Sequence, residues 1–389
     1  MLVNARKNHH NIARILIHIQ NLKRMCIREF KRVEIPISFI NVANKNNKKI
    51  VIDNDIHRIF DLDVPENSIF FIDENAYNIV SEFKDILHGK QLYIQKFDNS
   101  TLYDVADVCK IFSELGIQKN SPICIIGSKI FIDIFGFASS IYLSGLETYL
   151  IPTTLFAMSE TGGIYSVNAS TSKKYDVTLN TFNSSIFICP AISTEYDKDS
   201  FANGLANILR YSLISNITLF NKLHNLIHFT EDKRQINLDQ LADLLDDEVK
   251  TRMMIIAFES KHIAKAKLSF STTFINHLDT CFGDKFSYID KLTAGIKIAI
   301  LVSLFYTPTA LTNYQIVTLK TILRACNKRF DEVIESTELI DGLHHYFERN
   351  DIKTVKMLLV TKIGDQTTLC DVPVEVIERV IRNHEPFIY

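Results

Sequence analysis

Histidine and cysteine are the side chains most apt to bind metals or move protons near neutral pH. The chain has twelve of one and seven of the other. Cys26, Cys109, Cys124, Cys189, Cys281, Cys326 and Cys370 form no C-x-x-C pair. That argues against a zinc ribbon or a disulfide framework and fits a reducing compartment such as the cytoplasm. No H-E-x-x-H is present, and His344 and His345 are adjacent, so a helix turns them to different sides. Glycine supplies only 12 of 389 residues, about 3% against a usual ~7%, so loops that wrap a cofactor backbone are expected to be scarce. Cations concentrate at the start. Arg6, Lys7, Arg14, Lys23, Arg24, Arg28, Lys31 and Arg32 stand against one acid, Glu29, within residues 1–33. Ile12, Ile15, Leu16, Ile19, Leu22 and Cys26 give this stretch helical spacing. It reads as an amphipathic helix lying on the protein body. A basic arm for an acidic surface and an organelle transit peptide are the other readings, and the absence of serine weakens the last.

The rest of the chain has to position whatever chemistry it performs. A length of 389 residues is long for one core and predicts two domains. Net charge is -2, which gives no global electrostatic case for nucleic acid. No apolar run approaches the roughly 18 to 20 residues of a membrane span; the longest, around Ile296 to Tyr306, carries Lys297 and reads as a buried helix. Between Val33 and Cys189, β-rich runs at Lys49–Asp53, Ser68–Ile72, Gln91–Gln95, Ile123–Ile126, Glu147–Ile151 and Ile186–Cys189 alternate with helical patterns such as Leu102–Leu115. That alternation is expected of a parallel sheet with crossover helices. After Pro190, segments 199–215, 238–262, 269–282, 290–305, 312–326 and 331–349 read as helices. The expected organisation is a basic extension over 1–33, a Rossmann-like α/β domain over 34–190 and a mostly α-helical domain over 191–389.

Three segments, in order, carry a family resemblance. ICIIGSKIFIDIFGFASSIYLSGLETYLIPTTLFAM at 123–158 is followed by GLANILRYSLI at 204–214 and LSFSTTFINHLD at 268–279. They resemble 3-dehydroquinate synthases, whose core runs G-G-G-x-x-G-D-x-x-G-F-A-A to P-T-T-L-L-A, then G-x-A-E-x-I-K-Y-G and L-N-F-G-H-T-F-G-H-A-I-E. The tail adds MLLVTKIGD at 357–365, similar to the family's V-L-L-x-x-I-G. The resemblance implies a nucleotide-binding α/β domain, a helical metal-binding domain, an active site in the cleft between them and a homodimer. In such enzymes bound NAD transiently oxidises a hydroxyl of a seven-carbon sugar phosphate, phosphate is eliminated, and a divalent metal polarises the ketone.

The residues at the family's functional positions depart from that pattern. The metal-binding Glu falls on Asn207, one His on Thr272 and the other near Asp290, a set that does not make a zinc site. His262 and His277 are lone histidines, more often ordinary surface or core residues than ligands. The three-glycine pyrophosphate run becomes Gly127-Ser128-Lys129, and a further glycine becomes Ile132. Asp133, Thr153 and Thr154 match the family, and Asp73 stands where an acid meets the adenosine ribose; helix caps and strand-end hydrogen bonds could equally retain them. The G-G-K lysine falls on Ile164. Lys173, Lys250 and Arg210 match or replace family cations and could form a residual anion pocket with Lys174, or be solvated surface side chains. The acids after Lys250 become Ile256, Ala257, Phe258 and Glu259, and the G-L-R arginine falls near Ala264. The expectation is a 3-dehydroquinate synthase-like chain that has lost both NAD and metal, a pseudoenzyme that serves through binding a protein partner, as a homodimer or a heterodimer with an active paralogue. A diverged sugar phosphate cyclase or carbon–oxygen lyase with a rebuilt site is the alternative, and a nucleotide- or phosphate-responsive binding protein a third reading.

Overall fold

The computed structural model describes residues 32–36, 48–169, 176–181, 184–228, 236–330 and 337–383. Most of the basic 1–33 segment, and Lys173 and Lys174, lie outside the described residues.

The first half is built on strands β1 (Val33–Pro36), β2 (Lys49–Ile52), β3 (Ile69–Asp73), β4 (Leu92–Gln95), β5 (Ile123–Gly127), β6 (Thr148–Pro152), β7 (Ile164–Asn168), β8 (Asp176–Asn180) and β9 (Ser184–Ile188). Seven of them form one sheet in the order β1-β2-β9-β6-β5-β3-β4, parallel except for β1 against β2. Every residue of β5 and β9 is buried, as central parallel strands covered on both faces must be. Helices α1 (Ile56–Asp63), α2 (Glu74–Ile79), α3 (Glu82–Ile86), α4 (Leu102–Glu114), α5 (Lys129–Ile141) and α6 (Leu155–Glu160) join the strands. Thr101 and Asp104 form a capping box that starts α4. Phe71, Phe112, Phe131 and Phe135 pack ring against ring between the sheet and α4–α5. The chain leaves β3 toward β4 on one side and later runs β5, β6, β9 toward the other. The carboxyl ends of β3 and β5 therefore flank the sheet's switch point, where α/β folds bind ligands.

Two elements of this half had no clear signal. β7 and β8 make a separate antiparallel hairpin whose Tyr165 packs under α5; a Cβ on Gly136 would lie 2.3 Å from that ring. Glycine is required there by close approach alone.

The second half follows as α7 (Pro190–Ser193), α8 (Lys198–Ser215), α9 (Ile217–His228), α10 (Leu238–Phe258), α11 (Lys261–Leu268), α12 (Thr272–Phe282), α13 (Tyr288–Tyr306), α14 (Asn313–Cys326), α15 (Thr337–Arg349), the hairpin β10 (Thr354–Lys362) and β11 (Gln366–Pro373), and α16 (Val374–Arg382). The α/β half followed by a mostly helical half is the expected architecture. α13 is buried continuously from Asp290 to Leu304, the axis around which the other helices pack. Its Lys297 lies over the Phe330 ring. Where the spacing suggested one helix over 238–262, the chain breaks at Glu259, which is extended, and restarts with Ser260 capping α11. α12 begins at Thr272, after Ser271 takes a left-handed conformation with φ 68°. The β10–β11 hairpin is bonded into the helices: Val360 donates to Ser303 Oγ, Ile363 to the Ala310 carbonyl and Gly364 to that of Leu213. Among the described residues no helix is long and apolar enough to cross a membrane.

Candidate functional site

At the switch point, the β5–α5 turn is closed by its own side chains. A Cβ on Gly127 would stand 2.8 Å from that of Asp73, so the two strand ends touch. Asp73 caps α2 by accepting from the Asn75 N–H at 3.0 Å, and its other oxygen accepts from Ser128 Oγ at 2.7 Å and the Ser128 N–H at 3.4 Å. The carboxylate thus occupies the side of the turn from which a phosphate would be reached, satisfying donors that a pyrophosphate would need. Lys129, first residue of α5, is paired with Asp133 one turn on, and both are largely buried. Burial pushes the Asp133 carboxyl up to about 6 although Lys129 pulls it down. Thr153 is fully buried and accepts from the Tyr196 hydroxyl at 2.7 Å. Thr154 caps α6 through the Ala157 N–H. Asp73, Asp133, Thr153 and Thr154 are therefore assembled at the carboxyl edge of the sheet, each already engaged by the protein itself.

The three positions compared with metal ligands do not form a donor set. Asn207 is fully buried; its amide nitrogen donates to Ser159 Oγ at 2.8 Å, and its neutral Oδ1 has no partner. Thr272 donates its hydroxyl to the Ser269 carbonyl at 2.9 Å. Asp290 is already engaged: Ser287, through N–H and Oγ, donates to Oδ2 at 3.0 and 2.8 Å, and Asn327 Nδ2 to Oδ1 at 3.0 Å. A divalent ion needs about three anionic or imidazole ligands with free lone pairs, and these residues do not fit one. No group of three His, Cys, Asp or Glu suited to a metal exists among the described residues. His277 sits among the rings of Phe274, Tyr346 and Phe347, where burial lowers its pKa.

A different cluster fills the cleft between the halves. Glu160, the last residue of α6, meets Arg210 of α8 at 2.9 Å, and the Tyr211 hydroxyl donates to the same oxygen at 3.0 Å. Arg252 of α10 donates to the Thr161 carbonyl at 2.8 Å and, through Nε, to Glu248 at 3.1 Å. Burial would raise the Glu160 carboxyl, but Arg210, Lys129 and Arg252 together hold it below the ordinary carboxylate range. Glu248 goes the other way: burial, reinforced by Glu160, pushes it up to about 8 against the pull of Arg252 and Arg210. Tyr288, at the start of α13, packs its ring on Phe156 while remaining 40% exposed, and enclosure of its phenol pushes that pKa up to about 12. Glu160 is also closely enclosed, yet 21% of its side chain is reached by water. The cluster can hold charge and fix the two halves against each other, with Glu160 and Tyr288 open to solvent.

Arg210 belongs to this cluster, but the cations expected beside it do not assemble there. Lys250 is half-exposed and paired with Asp246 at 2.7 Å. At 100° per residue it lies about 160° around α10 from Arg252, whose guanidinium is the one that reaches the cleft. Lys173 lies outside the described residues. Glu160, Tyr211, Glu248, Arg252 and Tyr288 were not singled out from sequence. A signal existed for two of them: Leu241, Leu244, Leu245, Glu248, Val249 and Arg252 share the spacing of one helix face, and all are buried.

Residues 94–201 match the family model described as 3-dehydroquinate synthase N-terminal. The chain is 27% identical over 266 residues to a 3-dehydroquinate synthase of Prochlorococcus marinus strain MIT 9312, covering 66% of this chain and 68% of that one. It is 24% identical over 286 residues to that of Clostridium tetani, covering 68% and 74%. Among solved structures, a 2-deoxy-scyllo-inosose synthase complexed with carbaglucose-6-phosphate, NAD+ and Co2+ superposes with a TM-score of 0.71 at 16% identity, over 91% of this chain and all of the other. A 2-epi-5-epi-valiolone synthase from Streptomyces hygroscopicus, with NAD+ and Zn2+ bound, gives 0.70 at 19% identity over 88% and 98%. Sheet order, helical second half and sequence blocks agree: the chain is similar to 3-dehydroquinate synthases in sequence and shares the fold of these solved synthases.

Proposed function

We propose that this chain has lost the metal- and NAD-dependent cyclisation of its relatives and acts by binding, as a homodimer or paired with an active paralogue in the cytoplasm. One observation carries the reading: the metal positions hold a neutral amide, a hydroxyl that donates to a carbonyl and a single carboxylate already bonded to Ser287 and Asn327. A metal in such relatives polarises a carbonyl, worth several kcal/mol of barrier, and NAD is the hydride acceptor, for which no side chain substitutes. The Asp73–Ser128 and Lys129–Asp133 contacts support the same reading for the nucleotide. A second reading has its own support, since Glu160, Arg210 and Tyr288 place an acid, a cation and a phenol at a cleft that water reaches. That arrangement suits a rebuilt cyclase or lyase site.

The test is elemental analysis and mass spectrometry of the untreated protein, with a coupled assay for dehydroquinate in the presence of added metal and NAD. No stoichiometric metal, no nucleotide and no product are expected. Near one equivalent of chelatable metal, or turnover lost on Arg210→Met, would overturn the proposal in favour of the rebuilt site.

A further inference from the structure

α16, the last helix among the described residues, is held to the body partly by an ionisable contact. It buries Val374, Ile377, Val380 and Ile381, and its Arg379 lies over the Phe305 ring of α13 at 5.6 Å. It meets α15 through His344, whose Nδ1 stands 2.8 Å from Glu378 Oε1. The other ring nitrogen, Nε2, stands 3.4 Å from Glu348 Oε1, one turn further along α15. Arg382 and Asp341 add a looser pair at 3.9 Å, with both side chains more than half exposed.

Both ring nitrogens of His344 therefore face carboxylates, and an ionised carboxylate only accepts. A neutral imidazole donates from one nitrogen and presents a lone pair at the other, so only the imidazolium satisfies both sides. Glu378 is 18% exposed and Glu348 65%, so the bond that crosses between helices is the one less weakened by water. That bond raises the His344 pKa from the ordinary 6.5; Glu348 adds to the rise, while partial enclosure and Arg382 oppose it. The exposed His345 ring lies 5.8 Å away, and Glu375 of α16 faces Lys353. α12 packs on the far side of α15. Its Cys281 and His277 meet Gly342 and Tyr346, which lie about 160° around the helix from His344, and its Asp279 is paired with Lys291.

From this geometry we infer that His344 is a proton-dependent clasp: charged, it joins α15 to α16 through Glu378, and its deprotonation loosens α16 from α15 and from the part of α13 that α16 covers. The sign follows from linkage. A histidine whose pKa is higher in the folded chain contributes fully below about pH 6.5, and the contribution disappears as pH rises through the folded value. The loosening is local, because α16 is a nine-residue helix at the edge of the helical half and such elements open without the rest. The clasp lies outside the cleft, so its test and that of the proposed function fail separately.

The experiment is hydrogen exchange on the full chain read by mass spectrometry between about pH 6 and pH 9, where the histidine charge changes. Carbon-13 labelling of the histidine rings gives the titration by NMR, with the His344 signal assigned by its loss in His344→Gln. His344 should titrate above 6.5. After correction for the intrinsic rate, protection over residues 374–382 should fall about three- to tenfold across the range, relative to α9. His344→Lys keeps a cation throughout and should abolish the fall. His344→Gln should give low protection of α16 at every pH, and Glu378→Gln should bring the His344 titration back toward 6.5. Protection of α16 that follows α9 at every pH, a His344 that titrates at or below 6.5, or an undiminished fall in His344→Gln would each overturn the clasp.

Discussion

Glu248→Gln isolates the buried acid at the centre of the cleft cluster. Glu248 is fully buried, its Oε1 accepts from Arg252 and its Oε2 has no partner. Arg252 of its own helix, Glu160 of α6 and Arg210 of α8 face it. Its carboxyl, ordinarily ionised near 4.5, stays protonated in the fold to about 8. Between those limits the unfolded chain releases a proton that the folded chain keeps, so stability is full below about 4.5 and falls as pH rises to about 8. At about 1.4 kcal/mol per pH unit, the two limits differ by on the order of 5 kcal/mol. Glutamine resembles the protonated acid in shape and hydrogen bonding but does not titrate. Urea denaturation of both proteins at several values from pH 5 to 9 measures the difference. Near pH 5 the two should be nearly equal in stability. By pH 9 the variant should be the more stable by several kcal/mol, with unchanged m-value. Parallel stability curves over this range, or a variant less stable at pH 9, would refute an acid kept neutral by burial.

Further outcomes are expected. NAD at millimolar concentration should leave the melting temperature unmoved, because ligand at 100 times its Kd adds about 2.7 kcal/mol and would be seen by thermal shift. Tyr196→Phe removes the hydroxyl that holds Thr153 and should cost about 1 kcal/mol in chemical denaturation. Gly204→Ala would set a Cβ 2.7 Å from the Leu155 backbone, so it should destabilise by roughly 1–3 kcal/mol through the α6–α8 packing. Light scattering at micromolar concentration should give a dimer.

The sheet was legible because β3, β5 and β9 are short apolar runs between turns, and continuous burial leaves such runs little other reading. β7 and β8 were not, since Tyr165-Ser166-Val167-Asn168 is a brief alternating stretch whose partner is set only by the tertiary fold. The break between α10 and α11 was available in Ser260, a capping residue within an otherwise periodic pattern. The cleft cluster escaped for another reason. Residues 160, 210–211, 248–252 and 288 come from four elements, and no local spacing joins them. Comparing positions one by one drew attention to Lys250, whereas the phase of the helix decides which cation turns inward, and it favours Arg252. The positive φ at Ser271 had a visible marker, because the family motif carries glycine there.

The bonds from Val360, Ile363 and Gly364 to Ser303, Ala310 and Leu213 also impose an order on biosynthesis. The α/β half has all its strands once Ile188 is made, while Leu213 waits for a partner encoded far downstream. At ~5–20 residues per second, about 150 intervening residues occupy the ribosome for on the order of ten seconds. Once α13 is made, its apolar face lacks its strand cover until β10 follows, so a nascent or truncated chain stopped before β10 is the form most in need of a chaperone.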